Sequence, residues 1–127
     1  MDAQVRISAA EARVMEVLWD RSPRSAAEVI KALTVETGWN HRTIRTLLRR
    51  LMDKKAVSYV EDGRAYLYAA VLTREEYVRS ESRSFLARVF GGNPLSALAH
   101  FVEDEQLSSE ELERLQDLVD EKREELP

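Results

Sequence analysis

The sequence predicts a mainly α chain in which three short helices lead into a two-stranded β-hairpin and a helical tail follows. Three observations predict it. A serine or threonine stands three residues before a glutamate at Ser8/Glu11, Ser25/Glu28, Thr73/Glu76 and Ser108/Glu111. At that spacing two side chains satisfy the free N–H groups that open a helix. The apolar spacing shortens to two residues between Val57 and Ala69, the period of a strand. From Thr73 onward it lengthens again to three and four, broken by Gly91-Gly92-Asn93-Pro94.

Taken in order, the first helix starts after Ser8, buries Val14, Met15, Leu18 and Trp19, and stops at Ser22-Pro23. A proline pushes the residue before it out of helical geometry. The second helix starts after Ser25, carries Ala26, Val29, Ile30 and Leu33 on one side, and ends near Gly38. The third lies within WNHRTIRTLLRRLMDKK, residues 39–55. Ile44, Leu47, Leu48, Leu51 and Met52 make one apolar stripe on a helix of 3.6 residues per turn. No glycine marks its end at Lys55-Ala56.

Residues 57–61 and 65–69 form the two strands, and Asp62-Gly63 supplies the turn, since glycine tolerates the positive φ of tight hairpins. A lone hairpin is marginal in water. Tyr59, Tyr66, Leu67 and Tyr68 are therefore expected to pack it onto the helices. In the tail, apolar residues including Phe85, Leu86 and Val89 mark one helix. Leu95, Leu98, Phe101 and Val102 mark a second, and Leu112, Leu115, Leu118 and Val119 a third. Helices this short do not stand alone with so much apolar surface. A second copy of the chain is the expected cover, with those residues forming a homodimer interface.

The charge is unevenly divided. The 127 residues carry a formal −4. Twelve bases against nine acids give +3 through Leu72, and seven bases against fourteen acids give −7 beyond it. Within residues 40–55, Arg42, Arg45, Arg49, Arg50, Lys54 and Lys55 face a single acid, Asp53. At about 100° per residue, Arg42, Thr46 and Arg49 fall opposite the apolar stripe, with Thr43, Arg45 and Arg50 on its flanks. A dry face backed by a cationic one suits a helix lying in the major groove of duplex DNA.

Other function classes find little support. There is no cysteine, so disulfides and thiolate chemistry are excluded, and His41 and His100 are the only histidines. Neither histidine has an evident nucleophile neighbour, no glycine-rich phosphate loop occurs, and no cofactor or metal is called for. An enzyme is not expected. No apolar run is long enough to span a membrane and no signal-peptide pattern occurs, so a cytoplasmic protein without membrane insertion is the expectation.

Three helices followed by a hairpin, the third helix basic, is the element order of a winged helix-turn-helix. The expected organisation is a DNA-binding domain over residues 1–72 and a helical dimerisation domain over 73–127. The chain resembles the penicillinase and methicillin-resistance repressors of bacteria. The likeness runs through ISAAEARVMEVLWD, SAAEVIKAL, TIRTLLRRLMDKK, EDGRAYLYAAV, SESRSFLARVFGG and LSSEELERLQDLV. It implies a homodimeric winged-helix repressor that binds an inverted repeat in a promoter. It also implies relief by proteolysis in the tail, triggered by a membrane sensor with a cytoplasmic protease domain. In family members the bond cut is commonly an Asn-Phe bond in the first short tail helix; the aligned pair in this chain is His100-Phe101. The C-terminal cysteine cluster of copper-responsive relatives is absent.

Arg42, Arg45, Thr46 and Arg49 are the leading candidates for touching the duplex, because Arg reads guanine and Thr meets a thymine methyl. Arg50 flanks them. Asn40, His41 and Thr43 lie at the helix N-terminus, where N–H groups and side chains meet phosphate or base edges; for Asn40 a simple helix cap is an equal reading. Arg64, beside the hairpin turn, either reaches phosphate or the minor groove or is an exposed turn residue. Against the DNA reading stands that of a winged-helix adaptor whose basic helix docks an acidic protein.

Overall fold

The computed structural model describes residues 5–127. It divides into two compact units, one ending at Ser82 and one running from Arg83 to Pro127. In chain order the elements are α1 (Ala9–Asp20), β1 (Arg24–Ser25), α2 (Ala26–Thr37), α3 (His41–Asp53), β2 (Val57–Asp62), β3 (Ala65–Ala70), α4 (Arg74–Phe90), α5 (Pro94–Asp104) and α6 (Ser109–Glu124).

Each of the four predicted capping pairs opens its helix. At α1 the Ser8 Oγ accepts the Glu11 N–H at 3.0 Å while Glu11 Oε1 accepts the Ser8 N–H at 2.7 Å. The same reciprocal bonds join Ser25 to Glu28, Thr73 to Glu76 and Ser108 to Glu111. α2 ends where expected, at Gly38, whose φ of 73° is left-handed. Glycine adopts that geometry without steric cost, so the chain can turn and start α3 three residues later.

α1, α2 and α3 close on one core of Val14, Met15, Leu18, Val29, Leu33, Ile44, Leu47, Leu48 and Leu51. The four buried aliphatics of α3 each contribute about 1.5–3 kcal/mol through burial. The end of α3 is fixed in two ways. Lys55 takes a left-handed φ of 65°, the place a glycine would usually hold. Lys54 reaches across to α1, its Nζ donating to Glu11 Oε1 at 2.6 Å and to the Arg6 carbonyl at 2.9 Å. Lys54, one of the six bases counted in residues 40–55, is therefore paired within the chain. It is spent on Glu11, which is only 2% exposed and also caps α1. Burial raises the Glu11 pKa, but the bonds from Lys54 and Ser8 and the Lys54 charge outweigh it, so its carboxyl titrates below the ordinary carboxylate value.

The sheet has three antiparallel strands in the order β1-β3-β2 rather than two. β1 pairs Arg24 with Tyr68 and Ser25 with Leu67. Two residues show no alternation, and Ser25 doubles as the α2 cap, which is why the strand leaves no mark in the sequence. Asp62 pairs with Ala65, so Gly63 and Arg64 are the two loop residues and Gly63 supplies the positive φ, 64°. Arg64 thus sits within the turn and not beyond it. Val57 and Leu72 are buried in the core with Ala56, and Tyr68 and Ala70 pack partly against it. Tyr59 and Tyr66, expected to help dock the hairpin, stay 45% and 47% exposed. They lie on the correct face but beyond the reach of the helices. Trp19 ties the segment after the wing to α1: its Nε1 donates to the Leu72 carbonyl at 2.8 Å, and its ring meets Tyr77 and the Arg74 guanidinium.

In the second unit, Phe85, Phe90, His100 and Phe101 form an aromatic cluster with ring centroids 5.6–6.4 Å apart. His100 Nε2 also lies 3.4 Å from Asp104 Oδ2. Beyond that cluster most apolar side chains are uncovered. Val89, Leu95, Leu98, Val102, Leu112, Leu118 and Val119 are exposed, as are Phe85 and Phe101, while Leu86 and Leu115 are half-buried.

Two outcomes follow from the end of α3. Because the Glu11 pKa is lowered on folding, its contribution is full above the ordinary carboxylate value and is lost as pH falls through the folded-state value. Glu11→Gln is expected to cost about 1–2 kcal/mol at neutral pH, and the gap to the unmodified chain should close in acid, as read by urea unfolding at several pH values. Lys55→Gly is expected to stabilise by about 1 kcal/mol, because a left-handed residue with a Cβ is strained. That gain should raise the urea midpoint without changing the slope of the transition.

Candidate nucleic-acid interface

α2, the Gly38 turn and α3 form the helix-turn-helix, and α3 is held so that one side is dry and the other wet. Ile44, Leu47, Leu48 and Leu51 are buried. His41, Arg42, Thr43, Arg45, Thr46, Arg49 and Arg50 are all exposed. The expected division of this helix into two faces is therefore present residue by residue. From Arg42 to Arg49 the helix rises about 10 Å, close to the width of a DNA major groove.

The electrostatics set this face apart. On α1, at its end and at β1 the arginines are paired: Arg13 with Glu36 at 3.2 Å, Arg21 with Glu28 at 3.4 Å and Arg24 with Asp20 at 3.1 Å. Among the described residues, Arg42, Arg45, Arg49 and Arg50 make no intrachain ion pair. The first turn of α3 also holds no acid, so the partial positive charge of its N-terminus is not offset locally. Asn40 is the N-cap: its Oδ1 accepts the Thr43 N–H at 3.0 Å. Trp39 is half-buried against the core, anchoring the turn that aims the helix.

The hairpin tip is different. Arg64 is exposed, but Glu61 and Asp62 stand beside it in the sequence and are exposed as well, leaving the tip without net positive charge. Among the described residues no three His, Asp or Glu side chains are grouped as metal ligands would be, and no helix is long and apolar enough to cross a membrane. Two features of the site escaped the sequence reading. The Glu11–Lys54 pair joins residues 43 positions apart, and nothing local signals it. The exposure of Tyr59 and Tyr66 depends on where the helical body stops; the only sequence hint is that the alternation begun by Val57 continues past the last apolar helix residue.

Comparison with known proteins bears on this geometry. The family model described as penicillinase repressor matches residues 7–121. The chain is 37% identical to the penicillinase repressor of Bacillus licheniformis over 116 residues, 91% of each protein. Two solved structures share 36% identity, each covering 61% of this chain and 94% of the matched one. They are the DNA-binding domain of the repressor BlaI, at a TM-score of 0.55, and the monomeric Bacillus licheniformis BlaI in complex with the blaP half-operator, at 0.53. The chain belongs to the penicillinase repressor family, whose members are transcriptional repressors and not enzymes.

Proposed function

We infer that the chain is a DNA-binding transcriptional repressor that acts as a homodimer on an inverted-repeat operator. In each copy α3 lies in the major groove, with Arg42, Arg45, Thr46 and Arg49 toward the base edges and phosphates. His41, Thr43 and Arg50 border that strip, Asn40 holds the start of the helix toward the backbone, and Arg64 reaches from the wing. One observation carries the reading: α3 presents arginines that no acid among the described residues pairs with, while its other side is locked into the core. The half-operator complex of the Bacillus licheniformis repressor supports it, since that relative is similar over the same winged segment. An adaptor that docks an acidic protein has no such support.

Residues 1–72 form the reading head in this proposal, and residues 73–127 join two heads. The exposed apolar faces of the tail, Phe85, Val89, Leu95, Leu98, Phe101, Val102, Leu112, Leu118 and Val119 together with the half-buried Leu86 and Leu115, are the surface a second copy covers. Joining two weakly held heads raises the effective concentration of the second near its half-site. Release then needs only a cut in the tail. The His100-Phe101 bond lies on the exposed side of α5, within the aromatic cluster, and is the position at which a membrane sensor-protease in the cytoplasm, acting directly or through another component, would cut.

Two measurements test this. Arg45→Ala and Arg49→Ala are each expected to weaken operator binding and to reduce the slope of log K against log salt by about 1, because each removes about one phosphate contact; unchanged binding in both would refute the assigned face. Leu98→Asp with Leu118→Asp alters exposed tail positions only. The pair is expected to convert dimer to monomer in sedimentation and to lower operator affinity by at least about tenfold. A variant that stays dimeric shows that the tail faces are not the interface.

A further inference from the structure

We propose that Tyr59 and Tyr66 form a second, uncharged contact with the sugar–phosphate backbone of the DNA that α3 engages. The proposal rests on the repressor reading and adds to it a part of the wing that carries no positive charge.

A tyrosine in a small domain usually buries its ring and bonds its hydroxyl. These two do neither. Both are nearly half exposed, their rings meet edge to face at 4.7 Å, and neither hydroxyl has a hydrogen-bond partner among the described residues. Pairing places them on one face. Tyr59 is opposite Tyr68 and Glu61 opposite Tyr66, and two residues back on that face Val57 is buried in the helical core. The face that docks the sheet onto the helices therefore continues past them as an overhang of roughly 10 Å, from Tyr59 to Asp62. β2 is the edge strand opposite β1 and packs against α3, so the overhang is on the α3 side of the wing. A duplex seated on the arginines of α3 has its flanking backbone there.

The chemistry of the overhang selects the kind of contact. Glu61 lies on the same face, and Asp62 is next to it at the tip, so this surface does not attract phosphate by charge. Its outward donors are the two phenolic hydroxyls. Ring-on-ring packing already limits their rotamers, so little side-chain freedom is lost when they bond. A neutral hydroxyl that donates to a phosphate oxygen adds affinity and register without displacing a counterion. In this respect it differs from the arginines.

The test uses the full chain and a short labelled duplex obtained by in vitro selection against the unmodified protein. Binding is followed by fluorescence anisotropy over a series of salt concentrations. Tyr59→Phe and Tyr66→Phe are each expected to lower affinity about three- to tenfold, with the salt slope and the thermal unfolding midpoint unchanged. Affinity equal to that of the unmodified chain in both variants overturns the proposal and leaves the repressor reading in place. A loss of affinity accompanied by a lower unfolding midpoint, or by a shallower salt slope, also overturns it, because packing or charge would then be the cause. If the unmodified chain selects no duplex, both the repressor reading and this proposal fall.

Discussion

The structure depends on α3 being held rigidly by one side only. A helix held from one side must neither rotate nor slide, yet none of the exposed arginines of α3 serves as an anchor. Ile44, Leu47, Leu48 and Leu51 meet that requirement from behind, fully enclosed by α1 and α2. The two ends are fixed separately. Asn40 closes the first turn, and Lys54 reaches across to the buried Glu11. A buried ion pair is weak evidence for net stability, but Glu11 holds the start of α1 and the end of α3 with one carboxylate, and that sets their relative register.

Much of this was legible before any coordinates. The four capping pairs, Gly38, Gly63 and the stripe from Ile44 to Leu51 are local signals, and each is decided within about one turn of chain. That is why the helix starts and the two faces of α3 agree with the structure. What failed to show has a common cause, dependence on distant partners. Lys54 reads as one more base in a basic helix until Glu11 is brought beside it. The two-residue β1 exists only because β3 offers an edge. Tyr59 and Tyr66 follow the alternation of a docking face, and only the finite size of the helical body leaves them outside. The assignment of individual side chains to bases or to phosphates is likewise not written in the chain alone, since the duplex decides it.

The two ends of the chain divide the work by charge and by polarity. The winged unit is positive and has a closed core, with Arg13, Arg21 and Arg24 paired and the arginines of α3 left without an acid. The tail is acidic and leaves large side chains such as Leu95, 73% exposed, facing outward. Acidic residues on α6 keep that segment from competing for DNA phosphates, and its apolar stripes keep it from being stable as a solitary surface.

The placement of the two tryptophans, the only ones in the chain, gives the molecule a pair of optical reporters. Trp39 stands immediately before the Asn40 cap, in the turn between α2 and α3, whereas Trp19 lies beneath Arg74 and against Tyr77 with its indole bonded to Leu72. Emission from the first would respond to a ligand arriving at the start of α3; emission from the second would respond to loosening of its contacts with Leu72, Arg74 and Tyr77. Replacing either one with phenylalanine would leave the other as the sole tryptophan, so events at the two places could be timed separately in the unlabelled protein.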